Sequence, residues 1–443
     1  MQCLTRIPWQ PPLNIASYIA SKDEEFPCWT LFYSAMKTPY SGSKSFLFLF
    51  QEEEIISPNF NELDEKLNAK DKGESLYDNI WSGYLGYELK HELESLPHDA
   101  PSFLSFPPLY MAKFGLIAIF DHAQQTIELW AKDSKLVEKG KLLFQAAERM
   151  PLPTPLPPSI DYLASNITRE DYLSKVSTIC NAIIRGEVYQ ANLTRKFYGQ
   201  FSKQPSPFDI FLRLCSASPA TYSSFIKIKN RTILSSSPER FLQIDNNGKI
   251  DARPIKGTIP REQEAELDKN ARNQLANSEK DKAENLMIVD LMRNDISRSS
   301  KIGSVKVKSL FDITSYSTIH HMSSTICGQK SSDITTLEAI KHCFPPGSMT
   351  GAPKIKAMEL CSQLEQQQRG VYSGAIGWVS GSGPCDLSVV IRTLLIEDDK
   401  FEFQVGGGIV IDSTPIAEWE ETIAKARGIA LALGITEEEI KKL

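Results

Sequence analysis

The spacing of apolar and polar residues predicts strands and helices in alternation along most of the chain. Short runs of β-forming residues at 45–50 and 113–120 are separated by turns, and 136–150 has the apolar spacing of an amphipathic helix. Further on, Thr168 can cap a second helix, and 187–195 alternates polar and apolar residues like a strand. Helices and strands mixed in this way favour an α+β layered fold over a doubly wound parallel sheet.

A proline-rich stretch divides the chain at about one third of its length. Five of the residues in 150–158 are proline, which lacks a backbone N–H donor and has a fixed φ, so neither helix nor strand should continue through it. We therefore expect an N-terminal region at 1–150, a connection at 151–158 and a larger region at 159–443. The length of 443 residues, with 41% hydrophobic and 23% charged residues, is typical of a globular protein with a substantial core.

Charge and the distribution of apolar residues exclude several classes of function. The net charge of −6 and the absence of a basic run argue against a broad nucleic-acid surface. No apolar stretch has the length of a signal peptide or a membrane span. The eight cysteines contain no CxxC pair, which is typical of reduced thiols in a cytoplasmic protein.

Two predicted helices carry pairs of carboxylates that should share a helix face. Asp281 and Glu284 are spaced i, i+3, and so are Glu418 and Glu421, which follow an N-cap at Thr414. Two such pairs would form an oxygen-rich site of the kind that Mg²⁺ prefers. Taken alone, the spacing is more typical of solvated helix surfaces than of a metal site.

A run of three glycines and a nearby arginine suggest a site for an anion. Gly406–Gly408 interrupts a strand-like pattern, which predicts a bulge or a ligand held against the backbone N–H groups. Arg392 stands near the end of a predicted strand at 385–393, where it could clamp a carboxylate or form an ordinary ion pair.

A lysine and a pair of histidines are candidates for chemistry. Lys256 lies in a predicted turn at 254–258, between a proline and a glycine, and is either a solvated residue or a nucleophile activated by its surroundings. His320 and His321 are adjacent in a strand-like run, so at most one of them can face a given site.

Together these segments resemble the chorismate-utilising enzymes, which include the large subunits of the anthranilate and aminodeoxychorismate synthases and the isochorismate and salicylate synthases. The blocks that match occur in the family's order: 186–190, 236–241, 254–258, 281–295, 319–323, 344–354, 369–374, 386–393 and 406–422. Residues 81–88 and 120–122 resemble the N-terminal region that anthranilate and aminodeoxychorismate synthases share. The resemblance implies a large sandwich of two antiparallel β-sheets flanked by helices.

The resemblance also implies a magnesium site. Glu284 and Glu421 would coordinate Mg²⁺ directly, while Asp281 and Glu418 would assist through its waters. The ion would hold the ring carboxylate of chorismate.

The remaining pocket residues are assigned by the same resemblance. Arg392, Tyr372 and the backbone of Gly407 and Gly408 would hold the enolpyruvyl carboxylate. The other residues expected in the pocket are Ser348, Thr350, Gln190 and His321, the last rather than His320.

Two positions distinguish the reactions of this family. Gln190 stands where isochorismate and salicylate synthases carry a lysine that activates water, and an amide cannot act as that base. Lys256, within Pro-Ile-Lys-Gly-Thr, matches aminodeoxychorismate synthases, because anthranilate synthases have alanine there. The resemblance thus implies that Lys256 forms a covalent intermediate, that ammonia then adds at C4, and that Glu239 or His321 protonates the leaving hydroxyl.

The same resemblance implies partners. The chain contains no segment like a Cys-His glutaminase, so ammonia is expected from a separate glutamine amidotransferase subunit, for 4-aminobenzoate and folate biosynthesis. Residues 217–222 resemble one wall of the family's tryptophan pocket, which leaves open whether tryptophan is bound. The alternatives are an anthranilate synthase component I and a non-catalytic tryptophan-binding or regulatory module.

Overall fold

The computed structural model describes residues 3–36, 42–69, 77–148, 150–316 and 319–443. The strands are β1 (Cys3–Pro8), β2 (Cys28–Tyr33), β3 (Lys44–Ser57), β4 (Ile80–Leu85), β5 (Leu109–Asp121), β6 (Thr126–Ala131), β7 (Ile160–Ser165), β8 (Gln190–Phe201), β9 (Tyr222–Ile228), β10 (Arg231–Ser237), β11 (Arg240–Ile244), β12 (Lys249–Arg253), β13 (Ile255–Pro260), β14 (Lys306–Ser315), β15 (Ile319–Gln329), β16 (Gly351–Ala352), β17 (Ala375–Ser380), β18 (Cys385–Val389), β19 (Thr393–Glu397) and β20 (Lys400–Ile409).

The helices are α1 (Pro12–Ala20), α2 (Asn61–Leu67), α3 (Ser134–Glu148), α4 (Arg169–Ile184), α5 (Pro207–Ala217), α6 (Ala265–Asn277), α7 (Glu279–Ser297), α8 (Thr336–Cys343), α9 (Gly347–Thr350), α10 (Lys354–Glu365), α11 (Pro415–Leu433) and α12 (Glu437–Lys441). A 3₁₀-helix spans Tyr87–Glu92. Within the described ranges, no helix is long and apolar enough to cross a membrane.

The predicted helix starts are confirmed. The Thr168 hydroxyl accepts a hydrogen bond from the Asp171 backbone N–H at 3.2 Å at the start of α4. Thr414 caps α11 in the same way, and Pro415 occupies the first turn, where its missing N–H costs nothing. These local signals place Glu418 in a well-defined first turn of α11.

The strands form one continuous antiparallel network that folds over itself as two sheets. The first sheet has the order β1-β6-β5-β3-β2-β9-β10-β19-β20-β8-β7, and the second has the order β4-β17-β18-β11-β12-β15-β14, with β13 also beside β15. Strand β5 joins them, because 116–121 pairs with β6 while 109–112 pairs with β4. The predicted α+β class with antiparallel sheets is confirmed.

Successive side chains of a strand point to opposite faces of its sheet and so contribute to different hydrophobic cores, of which three are described below. Leu47 and Leu49 of β3 pack with α1, α3, α4, α5 and α11 on the outside of the first sheet. Phe48, between them in sequence, joins Tyr84 and Ile376 in a core between the two sheets. A third core lies between the second sheet and α2, α7 and α8. The molecule therefore has helix, sheet, sheet and helix layers.

The two regions on either side of the prolines contribute strands to the same sheets. Strand β2 pairs with β9, and β4 pairs with β17, so each sheet contains strands from 1–150 and from 159–443. Residues 151–159 form neither helix nor strand. The proline-rich stretch connects parts of one fold.

Two predicted elements differ in the structure. The predicted turn at 254–258 is largely strand β13, with a register shift against β15 and Gly257 at φ +86°. The predicted single strand at 385–393 is two strands, β18 and β19, which lie in different sheets. The connection 390–392 crosses between the sheets, and Arg392 there has φ +51°.

Candidate active site

Two crossings between the sheets lie side by side and form the centre of the candidate site. The chain passes from β10 in the first sheet to β11 in the second through Glu239, and it returns from β18 to β19 through Arg392. The Ser236 N–H donates to the Arg392 carbonyl at 3.1 Å, and the Val389 N–H donates to the Glu239 carbonyl at 3.0 Å. This pairing fixes both functional side chains relative to each other.

Glu239 is a buried carboxyl suited to proton transfer. Its side chain is 6% exposed, and burial raises its pKa to about 7, although a hydrogen bond with Ser348 and the charge of Lys256 act in the opposite direction. Such a pKa lets the group hold a proton near neutral pH and release it during a reaction. Glu239 can therefore serve as a general acid.

Arg392 offers an unpaired guanidinium beside Glu239. Burial lowers its pKa, and Glu239 and Tyr316 partly counter this shift. Among the described residues the guanidinium has no hydrogen-bonded or ion-paired partner. Tyr372, which is predicted to hold the same substrate carboxylate as Arg392, is buried in the turn between α10 and β17. Its burial raises the pKa of its hydroxyl. Arg392 is free to bind a carboxylate in a bidentate manner.

Lys256 extends from the β13 bulge into the middle of the site. Its Nζ lies 3.0 Å from the point that a Cβ on Gly408 would occupy. Its charge lowers the pKa of each of three surrounding carboxyls, Glu239, Glu284 and Glu421. The amine thus stands between the candidate general acid and the acidic residues of α7 and α11.

His321 faces the site, as only one of the two histidines can. Its Nδ1 lies 2.6 Å from the Thr258 hydroxyl, and its buried Nε2 has no partner among the described residues. Burial and the charge of Arg392 lower its pKa to about 3, so the ring is neutral at pH 7. His320 points to the opposite side, toward Ser315 and Asp268, which confirms the predicted alternation.

The three glycines lie in an unbroken strand. Strand β20 pairs with β8 residue by residue from Lys400 to Ile409, so the bulge, one of the two predicted explanations of the glycines, is wrong. A Cβ on Gly407 would lie 2.7 Å from Glu418 Oε2, and one on Gly408 would lie 2.6 Å from Gln190 Nε2. Any side chain at Gly407 or Gly408 would displace the ends of these side chains, which fill the space on the two faces of the strand.

The backbone of the glycine strand has one open edge. Lys425 Nζ donates to the Gly406 carbonyl at 2.8 Å, so the backbone groups of Gly406 point away from β8. Because backbone direction alternates along a strand, Gly408 points to the same open edge and Gly407 points toward β8. That Gly407 and Gly408 hold a carboxylate through their backbone stays a prediction.

The four predicted metal carboxylates come from two helices. Glu418 is 2% exposed; its Oε1 accepts a hydrogen bond from Ser413 Oγ at 2.6 Å, and its buried Oε2 has no described partner. Burial, and then the charge of Glu421, raise its pKa. Burial likewise raises the pKa of Glu284. Asp281 borders the β13 bulge, 3.0 Å from the position of a Cβ on Gly257.

Glu421 differs from these carboxyls because the positive charges of nearby lysines outweigh the effect of burial on its pKa. Burial would raise its pKa, but the adjacent Lys425 at 2.6 Å, with Lys256 and Lys280, brings it below its usual range. No group of three or more His, Cys, Asp or Glu side chains in the described ranges is already arranged to hold a metal ion. The oxygen donors and the partnerless Glu418 Oε2 fit Mg²⁺ chemically, and the magnesium site stays a prediction.

The remaining predicted residues line the same space. Gln190 is fully buried, and neither its amide oxygen nor its amide nitrogen has a partner among the described residues. Ser348 is 7% exposed and bonds Glu239, and Thr350 Oγ1 donates to the Gly347 carbonyl at 3.2 Å. The structure brings the predicted residues of the pocket into one region.

Comparison with known proteins identifies the family of this chain. The model of a family described as chorismate binding enzyme matches residues 21–431. The chain belongs to the chorismate-binding enzyme family. The family prediction made from the sequence is confirmed.

Several members of the family are similar over most of the chain. Aminodeoxychorismate synthase component 1 of Salmonella typhimurium is 38% identical over 347 residues, 78% of this chain and 75% of the relative. Anthranilate synthase component 1 of Aquifex aeolicus is 35% identical, over 74% of this chain and 64% of the relative. The solved anthranilate synthase component I of Streptococcus pneumoniae has a TM-score of 0.74 at 25% identity and covers 98% of this chain and 93% of its own.

Sequence reasoning missed three residues of this chorismate-family site. Thr258 holds His321, Tyr316 packs edge-to-face on the same ring at 5.4 Å, and Lys425 pairs with Glu421. Lys425 could have been found from its i, i+4 spacing to Glu421. Tyr316 gave no such signal, because only the β14–β15 hairpin brings it near the histidine.

The segment at 217–222, which resembles the tryptophan-pocket wall of family members, borders a separate cavity. Thr221 and Tyr222 line a space of about 240 Å³, with Arg240 and Asp386 also in its wall. Its occupation by tryptophan stays a prediction.

Proposed function

We propose that this chain is an aminodeoxychorismate synthase large subunit, which converts chorismate and ammonia to 4-amino-4-deoxychorismate. The observation that supports this most strongly is the position of Lys256, whose Nζ lies against Gly408 and among the carboxyls of Glu239, Glu284 and Glu421. The relatives named aminodeoxychorismate synthase support the same reaction.

The first step is attack by the free amine of Lys256 at C2 of chorismate. A C2–N bond forms, both ring double bonds shift by one position toward C4, and the C4 hydroxyl leaves as water after taking the proton of Glu239. Glu239 is suited to this because its raised pKa keeps the carboxyl protonated near neutral pH. His321, with its low pKa, has no proton to donate from an imidazolium.

The second step replaces the lysine with ammonia. Ammonia adds at C4, both ring double bonds shift back, and the C2–N bond breaks to release the Lys256 amine. The new ammonium loses a proton to the Glu239 carboxylate, which restores the acid for the next cycle. The net change is chorismate plus ammonia to aminodeoxychorismate plus water.

Substrate binding is assigned to the anion-binding groups of the pocket. Arg392, with its unpaired guanidinium, would hold the enolpyruvyl carboxylate together with Tyr372. Glu284 and Glu421 would hold Mg²⁺, and Asp281 and Glu418 would assist. When bound, the ion would neutralise the negative charge of the ring carboxylate and of these acidic side chains. Gln190, fully buried and without a charge, would disfavour activation of water at C2.

We also propose that ammonia comes from a separate glutamine amidotransferase subunit. The relatives are named component 1, a name that implies a further component. In the absence of that subunit, a high concentration of ammonium salt should replace it.

The assay that tests this function contains the chain, chorismate, MgCl₂ and ammonium chloride, with an EDTA control. We expect chorismate to be consumed, a product with the mass of aminodeoxychorismate, and no turnover in EDTA. Fluorescent anthranilate, formed without an added lyase, would instead identify an anthranilate synthase. Chorismate left unconsumed would point to a non-catalytic module.

A further inference from the structure

Arg369 lies outside the reacting groups and connects the main walls of the chorismate pocket. Its side chain is only 2% exposed. Nη1 donates to the Met349 carbonyl at 2.8 Å and to Ser373 Oγ at 3.2 Å, and Nη2 donates to the Asn192 carbonyl at 2.7 Å. One guanidinium therefore joins three segments that are distant in sequence.

Each of these three segments carries pocket residues. Met349 lies between Ser348 and Thr350 in α9, and Asn192 lies two residues after Gln190 in β8. Ser373 follows Tyr372 directly. Because the bonds go mostly to backbone carbonyls, Arg369 fixes the position of the chain that presents the pocket side chains.

A carboxylate holds the guanidinium in this orientation. Glu365 accepts from Arg369 Nε at 2.8 Å and from Nη2 at 2.7 Å, a bidentate pair that fixes the plane of the guanidinium. The same carboxylate accepts the Thr194 N–H at 2.9 Å, which adds a second connection to β8. The guanidinium also lies over the ring of Tyr87, 4.7 Å from its centroid.

The N-terminal region supports the same turn from the other side. Glu88 Oε1 accepts the backbone N–H of Arg369 at 2.9 Å and that of Gly370 at 3.2 Å. The Tyr87 N–H donates to the Gly370 carbonyl at 2.8 Å. These contacts give a role to residues 81–88, which resemble the family's N-terminal region but bring no group to the reacting centre.

We propose that Arg369 is a positioning residue for the chorismate pocket, locked by Glu365 and supported by Glu88 from the N-terminal region. It sets the distances among α9, the start of β8 and the Tyr372 turn, so that the groups that bind the substrate converge. This inference rests on the proposed function, because it assigns the pocket to chorismate. Its expected effect is on substrate binding rather than on the steps carried out by Lys256 and Glu239.

The test compares Arg369→Lys with a matched control, Arg213→Lys. Arg213 also uses its guanidinium to join separate segments, through the carbonyls of Ala432, Leu431 and Pro155, but it does so away from the pocket. The KM for chorismate and kcat are measured with ammonium chloride, and folding is monitored by circular dichroism and thermal unfolding.

For Arg369→Lys we expect the KM for chorismate to rise about tenfold or more, with a smaller change in kcat. The reason is that the pocket side chains on α9, β8 and the Tyr372 turn would shift and bind the substrate less tightly. Arg213→Lys should leave KM within about twofold of the wild type, an effect too small to indicate displaced groups. Glu88→Gln should preserve KM, because its amide oxygen still accepts both N–H groups, whereas Glu88→Ala should raise it.

A folded Arg369→Lys protein with unchanged KM would overturn this inference but not the proposed function. So would an equal rise in the KM of Arg213→Lys. Should Arg369→Lys fail to fold, Ser373→Ala and Glu88→Ala decide the matter, and unchanged KM values in both would reject it. Wild-type chain that neither binds nor consumes chorismate would overturn the proposed function and this inference together.

Discussion

Glu239 shows how the position of one carboxyl determines both chemistry and stability. The group is buried where the two sheet crossings meet, and its pKa is raised to about 7. An unfolded glutamic acid releases its proton near pH 4.3. Between these values the folded protein binds more protons than the unfolded chain, so this residue makes stability fall as pH rises.

The first prediction concerns this pH dependence. From about pH 4.5 to about pH 7, wild type should lose on the order of 3 kcal/mol of unfolding free energy relative to Glu239→Gln, which has no proton to lose. Urea unfolding at several pH values measures the difference. Glu266→Gln, at an exposed position on α6, is the control and should give a curve parallel to wild type.

The second prediction identifies the general acid. Glu239→Gln should lower kcat by about 10²–10⁴, the usual contribution of a positioned acid. His321→Asn should have a smaller effect on proton transfer, because the pKa of His321 is about 3 and the ring is neutral. Steady-state kinetics with saturating ammonium chloride compare the two variants, and the opposite ranking would transfer the role to His321.

The third prediction concerns the nucleophile. Wild type incubated with chorismate and Mg²⁺ in the absence of ammonia should gain the mass of chorismate less one water on Lys256. Intact mass spectrometry of Lys256→Ala under the same conditions should show no addition. A modified Lys256→Ala protein would exclude this lysine from the nucleophilic role.

At the scale of elements, the glycine strand β20 lies between a predicted metal carboxylate on one face and the predicted nucleophile, Lys256, on the other. Glu418 occupies the side-chain space of Gly407 on the face toward α11, while Gln190 and Lys256 occupy that of Gly408. The strand is uninterrupted, so the separation is as rigid as the sheet.

The fourth prediction follows from this arrangement. Gly407→Ala should displace Glu418, whose Oε2 lies 2.7 Å from the new Cβ, and should raise the Mg²⁺ concentration needed for half-maximal activity about tenfold or more. Val405→Ala, on the same face of the strand, is the control: it creates a cavity and lowers stability but leaves the Mg²⁺ requirement unchanged. Magnesium titration of both variants measures the effect.

Local signals predicted the elements better than their relation to one another. The caps at Thr168 and Thr414 were predictable because capping depends on neighbours a few residues away. The strand change at 390–392 was not, because it depends on pairing with β10 and β17. The glycines were interpreted as a bulge or a ligand site because the side chains that fill the space beside them come from other parts of the chain, such as Glu418.

For the site, the resemblance named the residues expected to meet the substrate and left out those that hold them in position. Arg369 belongs to a matching block, but its acceptors at Met349 and Asn192 are backbone carbonyls, which leave no trace in residue type. Glu88 contacts it across most of the chain's length. Support through the backbone is visible only in the folded molecule.

At the scale of the whole molecule, the pairing of strands from both regions makes the fold one unit. The fifth prediction is that a single cut within 150–158, made by a protease or through an inserted cleavage site, leaves the two pieces associated. They should elute together on gel filtration and unfold in one transition that coincides with that of the uncut chain. Separation without denaturant, or two calorimetric transitions, would contradict it.

The strand order also has a consequence for how the protein is made on the ribosome. Strand β4 must wait for its partner β17, which emerges roughly 300 residues later, a delay of roughly 15–60 s at 5–20 residues per second. During that time the N-terminal region has unpaired, apolar strand edges exposed to the cytosol of any producing cell. We therefore expect translation speed and chaperone supply, rather than the stability of the finished enzyme, to limit its soluble yield.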